Sequence, residues 1–306
     1  MESLEFTTQI GCHVNCLRHC PQEIYTKHLG YIKPLTFEQF KKLISTVPGT
    51  VEIIFAGISE PFQNSATTDM ILYAHEIKHL ITLFSTFSKL SIYDASRLSN
   101  IPFNKVVQHL PDACGNAHIP ITQEYMLVSS YAQTHFKNLT AMRMGESFVS
   151  DEHERYFRGD KILRHTGKLW CINLVEPHYM ALPNGDVFFC CMCKGLEEKV
   201  GSLYENTYRE LAAKHHHIAK RLSHDPKSIC HYCKWPISLW KNYLIAAKQN
   251  GIRLIPKRII LDYVHTLIIF CIHLIYHEWK ARLHQPESNQ ANGKGGSKAK
   301  ETKRVF

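Results

Sequence analysis

Gly11-Cys12-His13-Val14-Asn15-Cys16-Leu17-Arg18-His19-Cys20-Pro21 is the stretch on which the reading of this chain turns. It places three cysteines within nine residues, directly after the strand-like run Leu4 to Ile10. Three thiolates on one tight loop point to a metal. Structural zinc sites close with four protein ligands, usually arranged as two pairs, so a lone group of three is a poor zinc knuckle. An iron-sulfur cubane held by Cys12, Cys16 and Cys20 fits better and leaves one iron open to bind something else. The alternatives are inert reduced thiols, or a zinc site completed by His13, His19 or a distant residue.

At 306 residues the chain can hold one large domain, or one large and one small, and can bury a sizeable core. Met1-Glu2-Ser3-Leu4-Glu5 shows no basic region followed by an apolar segment, so no secretory signal is read and a cytosolic location is expected. In a reducing compartment, eleven cysteines grouped at short spacings read as metal ligands rather than disulfides. The net charge of +9 is partly local, because Lys294, Lys298, Lys300, Lys303 and Arg304 face only Glu287 and Glu301 beyond Pro286. No lysine and arginine stripe interleaved with aromatics stands out elsewhere, which argues against nucleic acid as a partner.

Outward from the cysteine loop, Thr36-Phe37-Glu38-Gln39 reads as a capping box opening a helix over Phe37 to Thr46. Val51 to Ala56 reads as a buried strand ending in the turn Gly57-Ile58-Ser59-Glu60-Pro61. A helix near Thr68 to His79, a strand Ile81 to Ser85 and a short helix near Ala95 follow. The strand Phe103 to Leu110, a helix Gln123 to Phe136 and the strand Leu139 to Met144 complete the alternation. This pattern predicts an α/β fold with a parallel sheet, either a barrel or part of one. Ligands in such folds sit beyond the carboxyl ends of the strands, where the cysteine loop and Gly57 to Pro61 both fall. The charged stretch Phe148 to Lys168 reads as a linker or a loop over the site.

A second cysteine group follows. Cys171 and Cys190 flank Pro183-Asn184-Gly185-Asp186, an Asn-Gly hairpin signal. Cys230 and Cys233 supply a C-x2-C pair, with a helix expected from Pro236. Together they make a four-thiolate site for which spacing alone leaves zinc and iron-sulfur open. Strand alternation puts Cys191 on the face opposite Cys190, so Cys171, Cys190, Cys230 and Cys233 are the favoured ligands, with Cys191 and Cys193 in reserve.

On these residues the chain resembles a radical S-adenosylmethionine enzyme with a C-terminal SPASM or twitch-type auxiliary-cluster domain, over roughly Leu4 to Trp235. The C-x13-G-x4-C run from Cys171 to Cys190, followed by C-x2-C, is similar to the twitch arrangement. No further cysteines follow Cys233 in the SPASM manner, which implies one auxiliary cluster. Ala56-Gly57-Ile58-Ser59-Glu60-Pro61 resembles the family's Gly-Gly-Glu-Pro motif, with Glu60 and Pro61 matching and Ile58 and Ser59 where glycines normally stand. The family's first motif is C-x3-C-x2-C, against C-x3-C-x3-C here.

The resemblance implies a partial (β/α) barrel of the radical S-adenosylmethionine type with a small twitch-like domain and extra C-terminal helices. It implies a [4Fe-4S] cluster on Cys12, Cys16 and Cys20 whose open iron chelates S-adenosylmethionine, and a cofactor cradle of Gly57, Ser59, Glu60 and Pro61. It implies one auxiliary [4Fe-4S] cluster on Cys171, Cys190, Cys230 and Cys233, and an electron donor such as flavodoxin or ferredoxin. The reaction implied is hydrogen abstraction by a 5′-deoxyadenosyl radical. The favoured outcome is oxidation or modification of a sugar, aminocyclitol or other small molecule. Peptide maturation, or a non-catalytic iron-sulfur or zinc protein on the same fold, are the rival readings.

The expected organisation is a partial barrel over 1–150 with a linker to about 168, an auxiliary-cluster domain over 169–235, C-terminal helices over 236–285 and a disordered basic tail over 286–306. Ile259 to Trp279 approaches the length of about 20 residues that spans a bilayer, but Asp262, His265, His273 and His277 interrupt it. It reads as a helix packed on the protein's own core, or as one lying in a membrane interface or on a partner. His215-His216-His217 reads as surface.

Overall fold

Strand β1 (Ser3–Phe6), which launches the cysteine loop, lies in the middle of an eight-stranded sheet. The computed structural model describes residues 1–14, 16, 22–111, 119–143, 163–192, 196–233 and 235–238, all within one compact unit, Met1–Asn242. Cys20, Cys193, the charged stretch up to residue 162, the apolar segment Ile259 to Trp279 and the basic tail lie outside the described residues. Among the described residues no helix is long and apolar enough to cross a membrane.

On one side of β1, strands β2 (Glu52–Phe55), β3 (Ile81–Ser85), β4 (Lys105–Leu110) and β5 (Leu139–Arg143) add in chain order, each parallel to its neighbour. The crossovers include helices α2 (Phe37–Ile44), α3 (Thr67–Glu76), α4 (Ile92–Leu98) and α5 (Gln123–His135), with α1 (Gln22–Leu29) directly after the cysteine loop. The fold is thus a mostly parallel α/β sheet consistent with a partial barrel.

Alternation along the strands divides side chains between two faces. Leu4 and Phe6, Ile53 and Phe55, and Ile81 and Leu83 point to the helices and form one core with Phe40, Leu43, Met70 and Ala74. Phe40 meets Phe6 edge-on, with ring centroids 5.0 Å apart. Helix α2 reaches that position because Thr36 and Gln39 close the expected capping box. The opposite face of the sheet carries Glu5, Ile54, Phe84 and His109.

On the other side of β1 the structure adds what the sequence did not reveal. After the short strand β6 (Leu169–Trp170) and the four-residue helix α6 (Ile172–Val175), strand β7 (His178–Ala181) pairs parallel with β1. The hairpin at Asn184-Gly185 then returns as β8 (Asp186–Phe188), and β9 (Lys199–Ser202) follows antiparallel. Gly185 takes the positive φ of 81° that the turn requires. The expected hairpin therefore forms, but it extends the barrel sheet itself. Ile237–Ser238, expected to open a helix, is instead strand β10, paired antiparallel with β6.

Helix α7 (Tyr208–His224) covers this second half, opened by a capping box of Thr207 and Glu210. It refines the reading of the histidine run: His216 and His217 are exposed as expected, whereas Leu211, His215, Ala219 and Leu222 share a helix face and are all buried. The His215 ring stacks on Phe189 at a 4.7 Å centroid distance. Burial pushes its imidazole from the ordinary 6.5 down to about 4. A depressed imidazole favours the neutral folded form, so its stabilisation is complete above pH 6.5 and is lost as pH falls toward 4. Denaturant midpoints measured from pH 8 to pH 4 should fall by the equivalent of about 3 kcal/mol more for the wild type than for His215→Phe.

Candidate functional site

Strands β1, β2 and β3 deliver three loops to one end of the sheet, and buried side chains tie the loops together. Beyond β2, Gly57 adopts φ +96° and passes close to Thr7: an added Cβ there would lie 1.9 Å from Thr7 Oγ1. Only glycine fits this crossing. The Thr7 hydroxyl accepts a bond from the Ile58 N–H at 3.3 Å, fixing the turn against the end of β1.

Glu60 caps the short 3-10 turn Pro61–Gln63, and its carboxylate is 4 % exposed. It accepts from Phe62 N–H at 3.4 Å, from the Ser85 hydroxyl at 2.5 Å, and from both the N–H and hydroxyl of Thr86 at 2.7 Å. Ser85 ends β3, so this one carboxylate joins the ends of β2 and β3. A buried carboxylate persists only when its oxygens are so engaged.

Gln63 carries the tie to the cysteine loop. Its Oε1 accepts from the His13 backbone N–H at 2.8 Å and from His13 Nδ1 at 2.7 Å, while its amide donates to Gly11 O at 3.2 Å. The other ring nitrogen, His13 Nε2, lies 2.8 Å from Ser88 Oγ, which lies 2.6 Å from Thr86 Oγ1. A continuous chain His13–Ser88–Thr86–Glu60 therefore runs from the cysteine loop to the turn. Both nitrogens of His13 are thus hydrogen-bonded, Nδ1 to Gln63 and Nε2 to Ser88.

Cys12 and Cys16 pack in a small apolar nest with Val14, Ile119 and Tyr125. Burial raises the Tyr125 phenol above its ordinary value, as expected for a wall that keeps water from the thiols. Two of the three expected ligands, Cys16 buried and Cys12 partly so, thus share one apolar cluster next to the Gly57–Pro61 turn, and their soft sulfur donors suit an iron-sulfur cluster. Helix α1 seals the far side, its Gln22 amide donating to Ile58 O at 2.5 Å and Tyr25 packing on Ile58.

The second cysteine group lies at the other end of the sheet. Cys190 bridges to His178 at the start of β7, which is paired with Ser3 at the start of β1. Its sulfur accepts from the Asn173 amide at 2.8 Å and from Met192 N–H at 3.3 Å, bonds that a thiolate ligand uses. Cys171 precedes α6, not on a hairpin strand as expected, and burial raises its thiol, opposed by the Asn173 N–H and raised further by nearby Cys190. Cys190 and Cys230 both pack on Ile229, whereas Cys191 packs with Tyr25, Ile58 and Met180 on the other face. Cys233 closes the 3-10 turn by donating its N–H to Ile229 O at 3.0 Å. Among the described residues, no three His, Cys, Asp or Glu side chains converge as a metal-holding group.

No protein-family model and no curated protein matches the chain. Among solved structures, BtrN in complex with AdoMet (S-adenosylmethionine) and 2-DOIA matches with a TM-score of 0.56 at 13% identity, over 73% of this chain and 87% of BtrN. BtrN in an open conformation matches at 0.52 and 11% identity, over 76% and 92%. The chain shares the fold of BtrN. Native anSMEcpe with bound AdoMet gives 0.46 at 14% identity, over 77% and 87%.

Sequence reasoning singled out Gly57, Glu60, Cys12 and Cys16 but not Gln63, Ser85, Thr86 and Ser88, whose contacts run across strands and leave no local pattern. Two substitutions test the ties. Gly57→Ala should lower stability by about 3 kcal/mol, from overpacking and left-handed strain together, read as a drop in denaturant midpoint. Gln63→Leu strips the acceptor from His13, and the fold should survive while amide exchange at His13 accelerates at least tenfold.

Proposed function

We propose that this chain is a radical S-adenosylmethionine enzyme acting on a small polar molecule. The observation that carries the reading is the tie of Gln63 and His13 to Glu60. It holds the start of the cysteine loop, at His13, against the Gly57–Pro61 turn at the carboxyl end of a parallel sheet. Cys12, Cys16 and Cys20 would hold the [4Fe-4S] cluster, and Gly57, Ser59, Glu60 and Pro61 would cradle the methionyl end of S-adenosylmethionine. Bound together, cluster and cofactor supply a 5′-deoxyadenosyl radical.

The chain's own residues then have distinct tasks. Glu60 is fully engaged by β3, so its carboxylate shapes the turn and leaves backbone groups to face the cofactor. Val14, Ile119 and Tyr125 keep water from Cys12 and Cys16. The sheet face bearing Glu5, Ile54, Phe84 and His109 would receive the substrate, with the Phe84 and His109 rings 6.1 Å apart. BtrN is seen with AdoMet and 2-DOIA, and this supports a small-molecule substrate over a peptide. Cys171, Cys190, Cys230 and Cys233 would hold an auxiliary [4Fe-4S] cluster suited to electron transfer behind the sheet, with reduction by a flavodoxin or ferredoxin.

Anaerobic reconstitution, reduction and incubation with S-adenosylmethionine should yield about eight irons per chain and 5′-deoxyadenosine, and Cys16→Ala should abolish the cleavage. Intact clusters with no 5′-deoxyadenosine would sink the reading.

A further inference from the structure

The chain on either side of the second cysteine group is basic and apolar at once. Over 163–175 and 226–238 the sequence carries Arg164, Lys168, Lys227 and Lys234 and no aspartate or glutamate. The flanking acids are engaged: Asp225 accepts from the Lys227 N–H at 2.9 Å, and Glu176 is buried against the Met1 ammonium at 2.5 Å. The same two segments expose Leu163, Ile172, Val175 and Trp235, each between 39% and 51% accessible.

The fold makes these segments one surface. Arg164 and His165 donate their N–H groups to His231 O at 3.0 and 3.1 Å, and His165 Nε2 lies 2.8 Å from Cys233 O. Ile237 pairs with Trp170 in the antiparallel ladder of β6 and β10, so two further steps along each strand set Trp235 beside Ile172. Val175 lies one turn along α6 from Ile172. Cys171 adjoins Ile172, Cys233 stands two residues before Trp235, and both cysteines are partly exposed.

Exposed apolar side chains grouped in this way mark an interaction site. An apolar centre beside charges of one sign is the build of a small, transient protein interface, in which charge steers the encounter and apolar contact seats it. A lipid surface would also suit lysines and a tryptophan, but it would leave the cysteines beside the contact without a part in it. A partner that brings an electron uses both.

We infer that this surface is the docking site of a small acidic electron carrier, a flavin or iron-sulfur protein, that delivers single electrons to the cluster of the second cysteine group. The inference rests on the radical S-adenosylmethionine reading with its auxiliary cluster, and it adds where the carrier binds. One electron leaves the reduced carrier and enters the oxidised cluster, and no bond forms or breaks.

The probe is an acidic flavodoxin, titrated anaerobically into the full-length, iron-reconstituted protein. Lys168→Glu/Lys227→Glu is compared with wild type and with Lys42→Glu/Lys137→Glu, which makes the same total charge change away from the second cysteine group. Reduction by the photoreduced flavodoxin is followed in the Cys16→Ala background, where the second cluster is the one that remains, with dithionite as a reductant that needs no docking surface. The expected result is about tenfold weaker binding and about tenfold slower reduction by flavodoxin in Lys168→Glu/Lys227→Glu, with dithionite reduction unchanged and the control pair close to wild type. Equal flavodoxin affinity in wild type and Lys168→Glu/Lys227→Glu overturns the inference alone, as does equal weakening in both pairs. Binding to phosphatidylserine vesicles without binding to flavodoxin gives the surface to lipid, and a dimer that Lys168→Glu/Lys227→Glu dissolves gives it to a second copy; either overturns the inference. Iron content that Cys230→Ala leaves unchanged overturns the auxiliary-cluster reading and this inference with it.

Discussion

The Glu60 carboxylate is the contact on which the candidate site depends. It is buried at the end of β2, and it is held there by an N–H and two hydroxyls from the next strand and turn in addition to its own helical cap. Each of these bonds alone is a modest contribution. Together they engage both oxygens of a carboxyl group that has left water. Because Thr86 passes the connection to Ser88 and Ser88 to His13, the same carboxylate also sets where the cysteine loop begins. Three loops that a parallel sheet merely brings to one end are thereby locked into a single surface.

This arrangement separates two jobs often assigned to one residue. The acid at position 60 builds the turn, and on the proposed function the backbone it shapes is what would meet a cofactor. Gly57 serves the same end by a different means, since its missing Cβ is what allows the turn to cross Thr7. The cysteine loop in turn receives its position from outside itself, through Gln63 and His13, and its dryness from Tyr125 and Ile119. Every tie described here acts on the loop's near end, from Gly11 to Cys16.

Much of the first half was legible because local chemistry wrote it. The Thr36 and Gln39 capping box, the apolar strand at Ile81 to Ser85 and the α5 pattern each fix an element within a few residues. The hairpin at Asn184-Gly185 was equally plain. What a strand pairs with was not. Nothing in His178 to Ala181 announces β1 as its partner, so the second cysteine segment read as a module apart although its strands continue the barrel sheet. The surface reading of the histidine run holds for His216 and His217, yet the helical period places His215 on the buried face with Leu211 and Ala219. Thr207-Tyr208-Arg209-Glu210 was a capping signal that could have revealed α7. The network through Gln63, Ser85, Thr86 and Ser88 had no such signal, since short polar residues are common in loops and only the fold makes them neighbours.

The central claim is that the cysteine loop and the Gly57–Pro61 turn are two halves of one cofactor site. Electron paramagnetic resonance of the reduced, iron-reconstituted protein tests it most directly, with spectra taken before and after addition of S-adenosylmethionine. The account predicts that the cofactor shifts the cluster signal of the wild type and that the shift disappears in Cys12→Ala. A reduced cluster on the loop whose spectrum is indifferent to S-adenosylmethionine would contradict it.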